Sequence, residues 1–149
     1  MPVMTKSGDK GSTRTLNKSI SKGSELIEAL GSLDELIATM ILVQARYHIK
    51  FEDRVAEIVK INSFLAGSIN PLQLDQAIKT IESEIELKQV PFTNFVYPFD
   101  DETKAALNHL RTIVRRAERV VIRLHTIEPL PNELLVYMNR LSDYVFVQE

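Results

Sequence analysis

The sequence predicts an all-α protein: an up-and-down bundle of five helices, with a ferritin-like, four-helix-bundle type of core, preceded by an irregular N-terminal arm. Three observations point there. Apolar residues recur at three- and four-residue steps in five successive stretches, the period of an amphipathic helix. The connections between the stretches are mostly short, as in antiparallel bundles. Only five glycines occur in 149 residues, and no β-hairpin dipeptide separates two alternating runs, which argues against an all-β fold. A composition of 44% hydrophobic and 26% charged residues fits one structural domain with a real core. Its expected parts are an arm over residues 1–23 and a bundle over residues 24–149.

Residues 5–22 contain almost no apolar side chains. They hold two glycines, many hydroxyls and five basic residues, and show neither helix nor strand periodicity, so they read as a loop or an arm ordered by a partner. Backbone N–H groups around Gly8 and Gly11 could form an anion-holding nest; a frayed terminus is the plainer possibility. The Gly-x-x-Gly spacing, with no Gly-Lys-Ser/Thr after it and no strand before it, is not a Walker A loop.

Ser24 is placed to cap a helix from about Glu25 to Tyr47, whose inward stripe includes Leu26, Ile27, Leu30, Leu33, Ile37, Met40, Ile41 and Ala45. Asp34 and Glu35 interrupt it. Gly31 inside it costs about 1 kcal/mol relative to alanine and leaves room for another backbone or a ligand. A second helix is expected over Phe51–Ala66, with Val55, Ile58, Val59, Phe64 and Leu65 inward and Gly67 and Pro71 ending it. The third runs from roughly Gln73 to Lys88, its acids Glu82, Glu84 and Glu86 reading as a solvated face. Val90–Phe99, with two prolines and four aromatics, is a connection with an apolar payload. Asp100, Asp101 and Glu102 then stand where the first turn of a helix favours negative charge. The last helix covers about Asn132 to Val147, with Asn139, Ser142 and Asp143 as polar insertions.

Between them lies the stretch from Lys104 to Leu124. Leu107, Leu110, Val114, Ala117, Val121 and Leu124 form its apolar stripe. Arg111, Arg115, Arg119 and Arg123 recur every fourth residue along another side. Cations at that spacing repel unless anions separate them, and guanidinium forks match phosphate and carboxylate geometry. The stretch therefore reads as an anion-facing wall, against the blander alternative of a solvated charged face. Asp34, Arg115, Arg119, Asn139 and Asp143 are where the apolar code of the bundle is broken, as happens at functional sites and subunit seams.

Other chemistries are set aside by what the sequence contains. There are no cysteines, which removes disulfides, zinc–cysteine and iron–sulfur sites and a cysteine nucleophile. His48, His109 and His125 form no HxxxH or HExxH pair, so no metal site is expected of the protein itself. The chain has no Gly-x-Ser-x-Gly elbow. A net charge of -2 gives no global pull toward nucleic acid or an acidic membrane, and no window approaches the ~20 apolar residues of a membrane span. A cytoplasmic location is the expectation.

Three motifs occur together: Thr5-Lys-Ser-Gly-Asp-Lys-Gly-Ser-Thr13, Arg115-Arg-Ala-Glu-Arg119 and Asn139-Arg-Leu-Ser-Asp143. With Glu28-Ala-Leu-Gly-Ser-Leu-Asp-Glu-Leu36, and Arg111 four residues before the double arginine, they resemble the PduO-type ATP:cob(I)alamin adenosyltransferases over nearly the whole chain. The resemblance implies a five-helix homotrimer with active sites between neighbouring subunits. It also implies transfer of the 5′-deoxyadenosyl group of ATP to the cobalt of cob(I)alamin, giving adenosylcobalamin and triphosphate. In that family the arm wraps the triphosphate with its Mg²⁺. Carried across residue by residue, the role falls on Thr5, Lys6, Ser7, Gly8, Asp9, Thr13 and, across a one-residue gap, Lys22. Arg115, Arg116, Glu118 and Arg119 would complete the ATP pocket with Asn139. Arg115, Arg119 and Asp34 would be the catalytic set, Asp34 pairing with Arg115 of a neighbour beside the corrin. Phe95 and Phe99 are the candidates for excluding water from the lower face of cobalt. The pattern departs from the family at Phe99-Asp100, where Gly-Gly is usual, at Asn108, where a histidine is usual, and in a shorter loop before Lys22. A second reading is a catalytically silent homologue that binds ATP or cobalamin as an escort or sensor; a third is a helical module whose arginines meet another acidic partner.

Overall fold

In the computed structural model, residues 3–6, 9–10, 12–14, 19–21, 24–91 and 96–149 are described, the side chains of 12–14 and 19–21 excepted. Five helices carry the fold: α1 (Glu25–Tyr47), α2 (Glu52–Leu65), α3 (Asp75–Lys88), α4 (Glu102–Ile127) and α5 (Asn132–Phe146). Local chemistry sets their ends. Ser24 caps α1, its hydroxyl accepting the Ile27 N–H at 3.3 Å. His48 closes the helix in the left-handed region at φ 62°. Gly67, at φ 90°, ends α2 as a glycine should. Its N–H reaches the Phe64 carbonyl while the Ser68 N–H reaches back to Ser63, so the last carbonyls of α2 are satisfied. Asp101 caps α4 by accepting the Lys104 N–H at 3.0 Å.

The arm departs from the expectation of an irregular segment. Two three-residue strands, β1 (Ser12–Arg14) and β2 (Ser19–Ser21), pair antiparallel with Ser12 opposite Ser21, Thr13 opposite Ile20 and Arg14 opposite Ser19. Three residues are too few to show a period-two pattern, and a ladder of this length is carried by the backbone.

α4 is the central rod. It packs against α1 on one side and α5 on the other, while α3 lies on α5 and α2 on α1. Its stripe of Leu107, Leu110, Val114, Ala117, Val121 and Leu124 is buried throughout. From Leu107 to Val121 it meets Leu33, Leu36 and Met40 of α1 and Tyr137, Met138 and Leu141 of α5 in one core, while Leu124 joins Val120 and Ala29 in a second, smaller cluster. Truncating any of these leucines to alanine costs about 2–5 kcal/mol. A polar group anchors α2 to α5. Arg54, 4% exposed, lies over the Tyr144 ring at 5.2 Å and pairs with Glu57, donating from Nη2 to Oε2 at 3.0 Å; the Glu57 carboxylate also accepts the Tyr137 hydroxyl at 2.9 Å. Some expected inward positions turn out: Ile41 is 53% and Val59 45% exposed, while Ile61 is fully buried. Among the described residues, no helix is long and apolar enough to cross a membrane.

Candidate functional site

Because the apolar stripe of α4 faces the core, its arginines are held outward by the helix's own geometry. Arg115 and Arg119 are exposed and lie one turn apart. Neither makes an ion pair or hydrogen bond with another described residue. Two unpaired guanidiniums at i, i+4 cost the helix about 0.2–0.5 kcal/mol, an arrangement that an anion between them would relieve. Arg111 sits lower and half-buried, donating to Asn108 Oδ1 at 2.9 Å. Arg116, about 100° around the helix from Arg115, pairs with Glu35 of α1. Arg123 is exposed one turn beyond Arg119.

One border of this wall comes from α5. Asn139 donates from Nδ2 to Glu118 Oε2 at 3.3 Å, and its Oδ1 accepts Arg140 Nη1 at 2.7 Å. Arg140 in turn donates from Nε to Glu82 Oε2 of α3 at 3.1 Å. Sequence reading had no means to find this last link, since Glu82 looked like any solvated acid and its partner lies 58 residues away.

Beyond the other border is α1. Asp34 is exposed, with no ion pair or hydrogen bond to another described residue. Close by, Glu28, Gly31, Ser32, Glu35 and Arg116 line a shallow depression. A Cβ placed on Gly31 would meet nothing within 4 Å among the described residues, so none of them exploits the room the glycine leaves.

Thr5, Lys6 and Asp9 of the arm are exposed. Lys6 adopts a left-handed φ of 64°, and the Asp9 N–H donates to its carbonyl at 3.2 Å in a tight turn. Thr13 lies in β1. Ser7, Gly8, Lys22 and Phe95 lie outside the described residues. Phe99 is 90% exposed, with its ring 6.3 Å from that of Tyr97. Where α3 and α5 end, a groove of about 440 Å³ is lined by Ile85, Val90, Phe146 and Val147 together with Lys88 and Asp143. No cluster of three or more histidine or carboxylate groups suited to a metal occurs among the described residues.

This geometry offers outward guanidiniums, a braced carboxylate and amide beside them, and a polar turn in the arm. Comparisons with known proteins agree on what it belongs to. The family described as cobalamin adenosyltransferase matches residues 3–149. A corrinoid adenosyltransferase of Bacillus subtilis is 32% identical over 161 residues, covering 98% of this chain and 83% of its own. Among solved structures, an arginine-to-lysine variant of the PduO-type adenosyltransferase of Lactobacillus reuteri, complexed with ATP, superposes with a TM-score of 0.88 at 27% identity, covering 98% of this chain and 91% of that one. A phenylalanine-to-alanine variant of the Lactobacillus reuteri enzyme, complexed with cobalamin and ATP, gives 0.88 at 26% identity over 99% of this chain and 91% of that one. With sequence match and helical fold in agreement along its whole length, this chain belongs to the cobalamin adenosyltransferase family.

Proposed function

We propose that the chain transfers the 5′-deoxyadenosyl group of ATP to the cobalt of cob(I)alamin. The observation that carries the reading is the pair Arg115 and Arg119, outward on α4 and without a protein counter-charge among the described residues, in a chain of this family. In the reaction the cobalt electron pair attacks C5′, the C5′–O bond breaks, and triphosphate leaves with the bonding electrons. No protein nucleophile or general base is required. The protein's part is to hold ATP in line with the corrin and to meet the charge growing on the leaving triphosphate with fixed donors. Arg115 and Arg119 supply those donors. Glu118 and Asn139 hold the nucleoside side of ATP, and Arg116, paired with Glu35 in the free chain, is a reserve cation at the rim. Residues 1–23 act as the nucleotide-binding arm. Thr5, Lys6, Asp9 and Thr13, with Ser7, Gly8 and Lys22, wrap the triphosphate, and Mg²⁺ is carried in on the phosphate oxygens. Phe99, almost wholly exposed, is available to cover the lower face of cobalt together with Phe95.

The assembly is read as a homotrimer. Asp34 on α1 and Arg115 on α4 each face outward, so an ion pair between neighbouring subunits satisfies Asp34 and leaves further guanidinium N–H groups of Arg115 for the nucleotide. The exposed apolar Ile41, Leu42 and Ile122 on these two helices support burial between copies. A cytoplasmic location follows from the need for ATP and for a reductant that keeps cobalt in its lowest state.

Anaerobic mixing of the protein with ATP, Mg²⁺ and cob(I)alamin tests the reaction, with the adenosylcobalamin spectrum as the expected outcome. ATP binding without that spectrum would leave a silent escort or sensor. Failure of millimolar ATP to raise the melting temperature would mean that the arginines serve another partner.

A further inference from the structure

The chain of contacts from α4 to α3 has a consequence for the nucleotide site beyond its own members. An asparagine amide is nearly symmetric in shape, and its neighbours decide which end points where. Arg140 has donors only, so the Asn139 oxygen must face it, and at 2.7 Å this contact is the shortest of the three links from Glu118 to Glu82. The Asn139 NH₂ is thereby turned to Glu118, 3.3 Å away. Arg140 is itself kept from swinging toward Glu118 or toward an incoming polyphosphate, because Glu82 takes its Nε at 3.1 Å. Its side chain is 36% and that of Glu82 44% exposed. The two can hold a direction, but a surface pair of this kind adds little to stability.

We infer that Arg140 and Glu82 are positioning residues for the nucleotide. Glu82 on α3 fixes Arg140, Arg140 orients the Asn139 amide, and the amide holds the Glu118 carboxylate at the edge of the arginine wall. The inference rests on the proposed role of Asn139 and Glu118 in binding ATP. It makes α3, which contributes no residue to the wall, part of the site's support. Groups one layer out from a ligand act in this way by aligning those that touch it.

The test is steady-state kinetics of the intact protein with ATP and cob(I)alamin varied separately. Arg140→Met should raise KM for ATP roughly tenfold, as loss of an orienting partner does. It should leave KM for cobalamin and kcat within about twofold, the signature of a lost binding contact. Glu82→Gln should do the same to a lesser degree. The double variant should be no worse than Arg140→Met alone, since both substitutions break one relay. Arg140→Lys, which keeps the charge but offers a single point donor, should fall between Arg140→Met and the parent. Melting temperatures, measured in parallel, should stay near that of the parent.

Asn139→Ala separates the two layers of the argument. If it raises KM for ATP while Arg140→Met and Glu82→Gln do not, the relay is wrong and the site stands. Should Asn139→Ala itself leave KM for ATP unchanged, the site reading and the relay fall together. Additive effects of the Arg140 and Glu82 substitutions, or equal losses toward both substrates, would also overturn the relay.

Discussion

Replacing Glu57 by alanine should be among the most damaging single changes in the bundle, and the structure says by how much. Arg54 reaches Glu57 Oε1 from Nε at 2.7 Å and Oε2 from Nη2 at 3.0 Å, with side chains 5% and 14% exposed. Burial alone would lower the affinity of the Arg54 guanidinium for its proton, but the adjacent Glu57 carboxylate reverses that and holds it above its ordinary value. The Tyr137 hydroxyl, on a fully buried ring, donates to the same carboxylate at 2.9 Å. Glu57→Ala thus strands a cation and a hydroxyl together. Breaking a buried pair from one side costs about 3–5 kcal/mol. With roughly 2.1 cal/mol/K of unfolding entropy per residue over 149 residues, the melting temperature should fall by about 10–16 °C. Replacing both partners by apolar residues, Arg54→Met with Glu57→Leu, should recover the part of that loss due to the stranded cation, because a dry, well-packed pair carries no charge desolvation penalty, while the Tyr137 hydroxyl still lacks its carboxylate. Thermal unfolding followed by circular dichroism reads both. A single variant melting within about 3 °C of the parent, or a double variant no better than the single, would refute the reasoning.

Arg119→Ala should behave in the opposite way: exposed and unpaired among the described residues, it should shift melting by no more than about 2 °C. Turnover should drop by roughly 10²–10³, the usual cost of a lost transition-state donor; a folding defect would mean that the arginine is structural. Stability should also fall in alkali. Burial first, then Glu84, pushes the Tyr144 phenol from 10.0 up to about 12. Burial first, then Glu57, holds Tyr137 well above its ordinary value. The folded chain therefore keeps protons that the unfolded chain releases, so this contribution is complete below pH 10 and is lost as the pH rises toward 12. Urea unfolding midpoints that stay flat over that interval would count against it. Finally, if Asp34 and Arg115 pair across the seam of the proposed homotrimer, Asp34→Arg should weaken assembly in sedimentation and adding Arg115→Asp should restore it; a double variant as dissociated as the single would exclude that pair.

How far the sequence could be read depended on the distance over which its signals act. Helix periodicity and caps are local, so the α1 limits, the Ser24 cap, the Gly67 stop and the buried stripe of α4 were all legible. Which flank of a wide stripe turns inward is set by neighbouring helices. That is why Ile41 and Val59 read as core and lie outside, while Ile61 was passed over. The burial of Arg54 leaves no local mark in the sequence, because the rings that cover it, Tyr137 and Tyr144, lie on another helix. At the candidate site, the outward arginines could be read from spacing, whereas the Glu118–Asn139–Arg140–Glu82 line joins three helices and leaves no mark in the sequence. The ladder in the arm escaped because its strands are three residues long.

A continuous rod imposes a discipline on evolution. Along α4 the roots of Arg115 and Arg119 are separated by four rises of an α-helix, about 6 Å, a spacing no loop rearrangement can alter. One residue inserted between them would swing everything downstream by about 100°, turning Val121 and Leu124 out of the interior and Arg119 off the outward wall. Length variation among descendants of this chain must therefore be expelled into the connections and the arm, which can change without re-threading the rod.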